Sequence, residues 1–448
     1  MRGFFMKQII VIGGGPAGYP AALKCAALGA KVTLIEKNKL GGVCLNCGCI
    51  PSKSFLHEAH RFQIVRSQNP SLAPDWASLQ QTQRSATQKL VQGIAFLLKK
   101  AGVTVISGEG RLQSEKEVRV LLADGTEQIL QADGIILATG SEAFYPPPFD
   151  ALKGKIYDNS NFFDMPALPK TLAIIGGGVI GCEMADCMNA LGVEVHIVEM
   201  QPRLLPLEDE NASRTLLQAF TKRGITVHTG ISATDAKEEG GVFTLTLCDG
   251  STLSCEAVLA AIGRKVDTSS LGLENIGVTA TRKGVTVNPS TLQLKGNVYA
   301  VGDMNGLCQL AHAATRQGEV AAANLCGVSA QYHNDRVPRA VYTDPEIAGV
   351  GITRAQAAAQ NIPLKSHKTF LLANGRAVAQ GQTTGFYELF SHGETGQLLG
   401  ALLVGAQAAE LIHAVSVALE ARMTVAQFKE VIFAHPTFAE SLSEALHR

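Results

Sequence analysis

Three cysteines stand within six residues, Cys44-Leu-Asn-Cys47-Gly-Cys49, in a chain that has ten in all. Thiols crowded in this way either bind metal as thiolates or exchange electrons as a dithiol and disulfide. Metal coordination would need a fourth ligand and usually two well-spaced pairs. The chain has no second cysteine cluster, which favours the redox pair, and no metal site is expected. A structural disulfide framework is disfavoured for an intracellular chain of this size.

A redox pair requires two sulfurs within bonding reach. In a regular helix, residues five apart have Cα atoms about 8–9 Å apart, beyond the roughly 7 Å that a disulfide spans. Cys44 and Cys49 can pair only if the segment between them departs from a helix, and Gly48 supplies the permissive residue. Pro51 suits a first helical turn, which puts Cys49 at or just before the N-terminus of a helix running through Ser54–Arg61. A thiolate is stabilised there. Cys47 reads as a small apolar filler.

The elements around this segment repeat. A short apolar run, Gln8–Ile12, leads into Gly13-Gly-Gly15-Pro-Ala-Gly18, an alanine-rich helical pattern to Leu28, and a second apolar run, Lys31–Ile35, that ends in Glu36. Strand, glycine turn, helix, strand and acid form the context in which GxGxxG reads as a dinucleotide site. The unit recurs as Leu172–Ile175, Gly176-Gly-Gly178-Val-Ile-Gly181, a helix to about Leu191, and a strand ending in Glu199. Gly13, Gly15, Gly18 and Glu36 map onto Gly176, Gly178, Gly181 and Glu199 with one constant offset of 163 residues. Bare backbone lets a pyrophosphate approach, the helix N-terminus offers free N–H groups, and the acid accepts hydrogen bonds from a ribose diol.

Length and charge bound the rest. At 448 residues, against roughly 100–200 per domain, the chain should hold about three domains. Acids and bases balance at 39 each, so no whole-molecule field would gather nucleic acid or an anionic membrane. No apolar run reaches the roughly 20 residues of a spanning helix, and Met1-Arg-Gly-Phe-Phe-Met6-Lys7 lacks a cleavable signal pattern. A cytoplasmic location is expected, with the natural start at Met1 or Met6. Ala73–Lys100 reads as a long helix, Gly134–Gly140 and Ala257–Gly263 as strands closing in small-residue turns, and Asn297–Asp303 as another buried strand. From about Arg339 the nucleotide signatures cease.

Gly41-Gly-Val-Cys44-Leu-Asn-Cys-Gly-Cys49-Ile-Pro-Ser-Lys53 resembles the redox-active segment of the pyridine nucleotide–disulfide oxidoreductases. Supporting it are the paired glycine units, Ala138-Thr-Gly-Ser141, Gly302-Asp303, Tyr342-Thr-Asp-Pro-Glu-Ile-Ala-Gly-Val-Gly351, Ala373-Asn-Gly-Arg-Ala377 and His435-Pro-Thr-Phe-Ala-Glu440. The resemblance runs along essentially the whole chain and is greatest to the dihydrolipoamide dehydrogenase branch. It implies an α/β fold with two Rossmann-like dinucleotide-binding domains and a C-terminal α+β dimerisation domain. The implied division is residues 1–149 for FAD, 150–266 for NAD, 267–338 as a central segment completing the FAD site, and 339–448 as the interface domain.

By the same resemblance, Cys44 exchanges with substrate and Cys49 faces the flavin, beside an ion pair of Lys53 and Glu183. Thr139, Gly140, Asp303 and Gly263 join the glycine units as cofactor residues, although Asp303 also reads as an N-cap for a helix beginning near Leu310. His435 is the general base and Glu440 its orienting acid. Thr437-Phe-Ala-Glu440 is equally a capping box, and the family carries a cis bond at its His-Pro. His435 is expected to complete the partner's site in a homodimer.

NAD is expected over NADP, because Glu199 would oppose a 2′-phosphate. The implied reaction is NAD-dependent oxidation of dihydrolipoamide, with a lipoyl domain and the acyltransferase of a 2-oxoacid dehydrogenase complex as partners. Another flavin-dependent disulfide reductase acting on a small thiol, or a flavoprotein serving as a binding subunit, stand as alternatives.

Overall fold

The computed structural model describes residues 6–447, and Met1 lies outside the described residues. The chain opens with β1 (Gln8–Ile12), α1 (Gly18–Ala27) and β2 (Lys31–Glu36). Three helices follow: α2 (Gly42–Cys47), α3 (Cys49–Gln68) and α4 (Trp76–Lys100). Next come β3 (Thr104–Ser114), β4 (Glu117–Leu122), β5 (Glu127–Gln131) and β6 (Gly134–Leu137). All four residues of β6 are buried, as are Ile9 to Ile12 of β1. That is the pattern of parallel strands covered on both faces.

After the two-residue strand β7 (Glu142–Ala143), the second unit runs β8 (Thr171–Ile175), α5 (Val179–Ala190), β9 (Glu194–Glu199), α6 (Glu210–Lys222) and β10 (Thr226–Thr229). An antiparallel meander of β11 (Ala233–Glu239), β12 (Val242–Leu247) and β13 (Thr252–Cys255) precedes β14 (Ala257–Ala260), which closes the parallel sheet in the order β10-β9-β8-β14. Strand β15 (Arg264–Lys265) pairs with β7 and so ties the two units together.

The chain then returns to the first sheet. Strands β16 (Gln293–Lys295) and β17 (Val298–Ala300) complete the order β16-β17-β6-β1-β2-β3-β4-β5, with Val298 opposite Ile135. Helix α7 (Ala311–Leu325) packs on α1. The last part has five antiparallel strands in the order β18-β19-β22-β21-β20. In chain order it runs β18 (Arg339–Val341), β19 (Ile347–Gly351), α8 (Arg354–Ala359), β20 (Leu364–Phe370), α9 (Gly375–Gln380), β21 (Phe386–His392), β22 (Leu398–Val404), α10 (Ala408–Glu420), α11 (Val425–Lys429) and α12 (Glu440–Leu446). The change of style at Arg339 is thus the first residue of a new sheet.

Candidate active site

Cys44 and Cys49 form a disulfide with their Cα atoms 4.7 Å apart. The helix breaks where the spacing argument requires it: α2 stops at Cys47 and α3 starts at Cys49. Gly48 sits at φ −136°, outside the left-handed region, so its need for glycine comes from crowding rather than from backbone sign. A Cβ there would meet Val43 O at 3.0 Å and the Cys44 Cα at 3.2 Å. Asn46 steadies the short helix by donating Nδ2 to the Leu40 and Gly42 carbonyls. Cys49 begins a 20-residue helix, whose free N–H groups and dipole favour a thiolate. Burial keeps the Cys47 thiol above its ordinary range, in keeping with a filler role.

One turn after Cys49, Lys53 Nζ donates to Glu183 Oε2 at 2.7 Å. Glu183 is 3% exposed, and its other oxygen accepts the Tyr342 N–H at 3.1 Å. The Lys53 ammonium lies 4.5 Å from the centre of the Tyr342 ring. Three elements distant in sequence, α3, α5 and the loop entering β19, therefore converge on one partly buried ion pair.

The sequence reading missed the second half of this junction. Asp186, fully buried on α5, accepts the Asp344 N–H at 2.7 Å and pairs with Arg223 Nη1 at 2.5 Å and His60 Nε2 at 3.2 Å. Arg223 also donates to Asp344 O. Burial alone would lower the His60 pKa, but the hydrogen bond and charge of Asp186 outweigh it and raise the pKa. Two acids three residues apart in a largely apolar helix, Val179–Ala190, were the signal that could have found it.

The glycine turns of the two units are superimposable in their chemistry. A Cβ on Gly13 would lie 2.3 Å from Ala138 O, and one on Gly18 only 1.8 Å from Gly13 O; the corresponding gaps for Gly176 and Gly181 are 2.3 Å and 1.9 Å. The protein's own backbone dictates those four. Gly15 and Gly178 differ: the nearest atom to a Cβ is Gly42 Cα at 3.7 Å for the first, and nothing lies within 4 Å for the second. The chain itself leaves room at those two positions. Each acid braces its own loop, Glu36 accepting from Gly14 and Asn38, Glu199 from Gly177 and Gln201, at 2.6–2.7 Å. Each carboxylate oxygen accepts one backbone N–H in this way.

Asp303 lies in a short turn, Gly302–Asn305, and accepts from Ser141 Oγ, with Arg264 Nε 3.7 Å away. It does not cap α7, whose N-cap is Leu310 with no side-chain bond; the capping reading is corrected. Buried Gln317 on α7 holds that turn instead, accepting from Gly302 N and Asn305 Nδ2 at 2.8 Å each. Thr139 and Gly140 follow β6 and Gly263 follows β14, both glycines with open space where a Cβ would be. Arg264 donates to Ser141 Oγ and Asn159 Oδ1, clasping the two units beside Asp303.

His435 and Glu440 stand apart from the disulfide, at the far end of the chain. His435 Nδ1 lies 2.9 Å from Glu440 Oε1, and the other Glu440 oxygen accepts the Thr437 N–H at 2.7 Å. Those two contacts, the backbone one first, hold the Glu440 carboxyl below its ordinary pKa. Only one arm of a capping box is present, since Thr437 Oγ1 donates to Ala434 O and the N-cap of α12 is Ala439. The His435–Pro436 peptide is cis. Buried Asn374 donates to Thr437 O at 3.0 Å, which ties the Asn-Gly-Arg-Ala segment to the histidine loop. The His435 side chain is 79% exposed.

Residues 7–318 match the pyridine nucleotide-disulphide oxidoreductase family, and residues 337–446 match its dimerisation domain. Similar curated proteins include dihydrolipoyl dehydrogenases of Chlamydia muridarum, 37% identical over 97% of this chain and 95% of that protein, and of Bacillus subtilis, 36% identical over 98% and 97%. Among solved structures, LpdA of Mycobacterium tuberculosis superimposes with a TM-score of 0.91 at 29% identity, covering 99% of both chains. The HOCl-induced flavoprotein disulfide reductase RclA of Escherichia coli does so with 0.87 at 26%, covering 98% and 99%. The chain belongs to the pyridine nucleotide-disulphide oxidoreductase family.

The cofactors of these pyridine nucleotide-disulphide oxidoreductases are FAD and NAD. The residues present fit both: two glycine turns with room at Gly15 and Gly178, and an acid positioned behind each. Strands β16 and β17 belong to the first sheet, so residues after the second unit build the same body as residues before it. Among the described residues no helix is long and apolar enough to cross a membrane.

Proposed function

We propose that this chain is an NAD-dependent dihydrolipoamide dehydrogenase, working as a homodimer in the cytoplasm. The observation that carries the reading is the Cys44–Cys49 disulfide at the head of α3, one turn from the Lys53–Glu183 pair. Residues 1–149 and 267–338 hold FAD, residues 150–266 hold NAD, and residues 339–448 form the interface. Side chains left exposed on that last part, Leu372 at 71% and Ile432 at 96% among them, supply apolar surface for a second copy.

His435 of one protomer serves the disulfide of the other. Its imidazole takes the proton of a dihydrolipoamide thiol, and Glu440 holds the ring and stabilises the imidazolium. The resulting thiolate attacks Cys44; the Cys44–Cys49 bond breaks and Cys49 leaves as a thiolate stabilised by the α3 N-terminus. His435 then passes that proton to the departing Cys44 sulfur and takes the proton of the second substrate thiol as this attacks the mixed disulfide; cyclic lipoamide departs, leaving Cys44 as a thiol, Cys49 as a thiolate and His435 protonated. FAD, when bound, supplies the two-electron relay from this dithiol to NAD. Lys53, its charge fixed by Glu183, stands at the flavin side of Cys49, and Asp303 with Gly140 and Thr139 lines the FAD cleft. Glu199 holds the NAD ribose and opposes a 2′-phosphate.

Dihydrolipoamide reaches the site free or on a lipoyl domain, and the acyltransferase of a 2-oxoacid dehydrogenase complex is the partner that would carry that domain. The test is purified yellow protein assayed for NAD reduction by dihydrolipoamide. Turnover supports the reading. Activity on small disulfides without dihydrolipoamide turnover would assign another reductase of the family, and inactivity on all disulfides would assign a binding subunit.

A further inference from the structure

Two cysteines outside this site meet across the FAD-binding body. Helices α1 and α7 run side by side in the same sense. Thr315, in the first turns of α7, donates Oγ1 to Pro16 O at 2.9 Å. Further along, Gly318 approaches so closely that a Cβ there would lie 2.2 Å from Ala17 O and 3.3 Å from the Ala21 methyl. The same eight-residue step along both helices leads from Ala17 to Cys25, near the end of α1, and from Gly318 to Cys326, which caps α7. Both sulfurs belong to one apolar cluster. Cys25 is fully buried and Cys326 only partly so.

Their environments divide the work. The neighbouring Cys25 thiol lowers the Cys326 pKa, against the effect of burial and with help from the Lys7 ammonium. The same contact, then burial, pushes the Cys25 thiol up. Lys7 is held in place by its 2.7 Å bond to Leu325 O, the residue before Cys326. A partly exposed sulfur beside a lysine ammonium, backed by a buried neighbouring thiol, is the arrangement of an attacking and a resolving cysteine.

We propose that Cys25 and Cys326 are a second redox pair, separate from catalysis, which hydrogen peroxide closes into a disulfide fastening α1 to α7. The Cys326 thiolate attacks one peroxide oxygen, the O–O bond breaks, and hydroxide leaves to become water, giving a sulfenic acid. The Cys25 sulfur, losing its proton, displaces the sulfenic oxygen as a second water, and the S–S bond forms. Peroxide is reduced by two electrons and the two thiols are oxidised by two. A dithiol reverses the step. The cross-link would join the helix that follows Gly13–Gly18 to the helix that holds Gly302 and Asp303 through Gln317, the two walls of the FAD site.

The test is peptide mapping of the holoenzyme after hydrogen peroxide, alkylation of remaining thiols and digestion without reductant. A linked pair of peptides carrying Cys25 and Cys326 is expected, lost on treatment with dithiothreitol and absent in Cys326→Ser. In Cys25→Ala, Cys326 should proceed to the sulfinic acid. Oxidised wild type should also release FAD at least about tenfold more slowly on dialysis against chaotrope. Both thiols remaining alkylatable after peroxide, or Cys326 over-oxidising equally with Cys25 present, would overturn the proposal. The wild-type map decides the matter even if either variant fails to fold.

Discussion

Glu183 and Asp186 stand three residues apart on α5 and grip one loop together, Glu183 through the Tyr342 N–H and Asp186 through the Asp344 N–H. Glu183 also holds Lys53, and Asp186 holds His60, so both acids reach α3, the helix that Cys49 begins. Asp186→Ala leaves the partly buried charges of Arg223 and His60 without their partner. Breaking such a pair costs about 3–5 kcal/mol. Chemical denaturation of the holoenzyme should show that loss, with FAD still bound under native conditions.

The same contact gives stability a pH dependence. The folded-state pKa of His60 is raised above the ordinary 6.5, so the protonated form is the one folding favours. Its contribution is fully present below about pH 6.5 and is lost as pH rises through the folded-state value. The groups facing it are Asp186, Asp344 and Arg223. His60→Gln should flatten the Tm-against-pH curve in that window; an unchanged curve would contradict the assignment.

His435→Gln is expected to lower dihydrolipoamide turnover by about 10²–10⁴-fold, the usual worth of a positioned base, with FAD content unchanged. Glu440→Gln should lose less, because it keeps an acceptor for the Thr437 N–H. Stopped-flow reduction of the enzyme by dihydrolipoamide measures both. Near-normal rates would leave this pair a purely structural role.

Cys49→Ser is expected to remove the long-wavelength absorbance that a thiolate against oxidised flavin gives on partial reduction. Cys44→Ser should keep it. Persistence of the band in Cys49→Ser would exchange the two sulfur assignments.

The glycines separate fold from ligand. Gly18→Ala and Gly181→Ala drive a methyl into backbone at 1.8 Å and 1.9 Å and should prevent folding of their units. Gly15→Ala and Gly178→Ala meet no such obstacle, so both should fold. The first is expected to purify without FAD, and the second to raise the KM for NAD by about tenfold or more, the factor carried by roughly 1.4 kcal/mol. Flavin absorbance and steady-state kinetics report the two outcomes.

Glu199 braces its loop as well as facing a ribose, so Glu199→Gln tests selectivity more cleanly than alanine. Losing the charge but keeping one acceptor should narrow the NAD-over-NADP preference by about tenfold, on the scale of one charge-assisted hydrogen bond. An unchanged ratio would place selection elsewhere.

Local chemistry made much of this legible from residue order. The glycine turns, the acids behind them and the helix break between Cys44 and Cys49 all follow from short-range sterics, which act within a few residues. Asp303 shows the limit: its spacing to α7 suited a cap, yet its carboxylate turned to Ser141, a partner 162 residues away. Asp186 and Gln317 went unread for the same reason, since each satisfies backbone groups brought to it by another element.

The sequence by itself determined the two nucleotide-binding units, the redox pair and the family, because each depends on spacing that local geometry enforces. Only the tertiary structure decided which buried charges share a partner, which glycines serve the backbone and which stand open, and which cysteines outside the site meet. Those outcomes depend on helices and strands from distant parts of the chain packing into contact, where burial makes an unmatched charge or a single extra methyl costly.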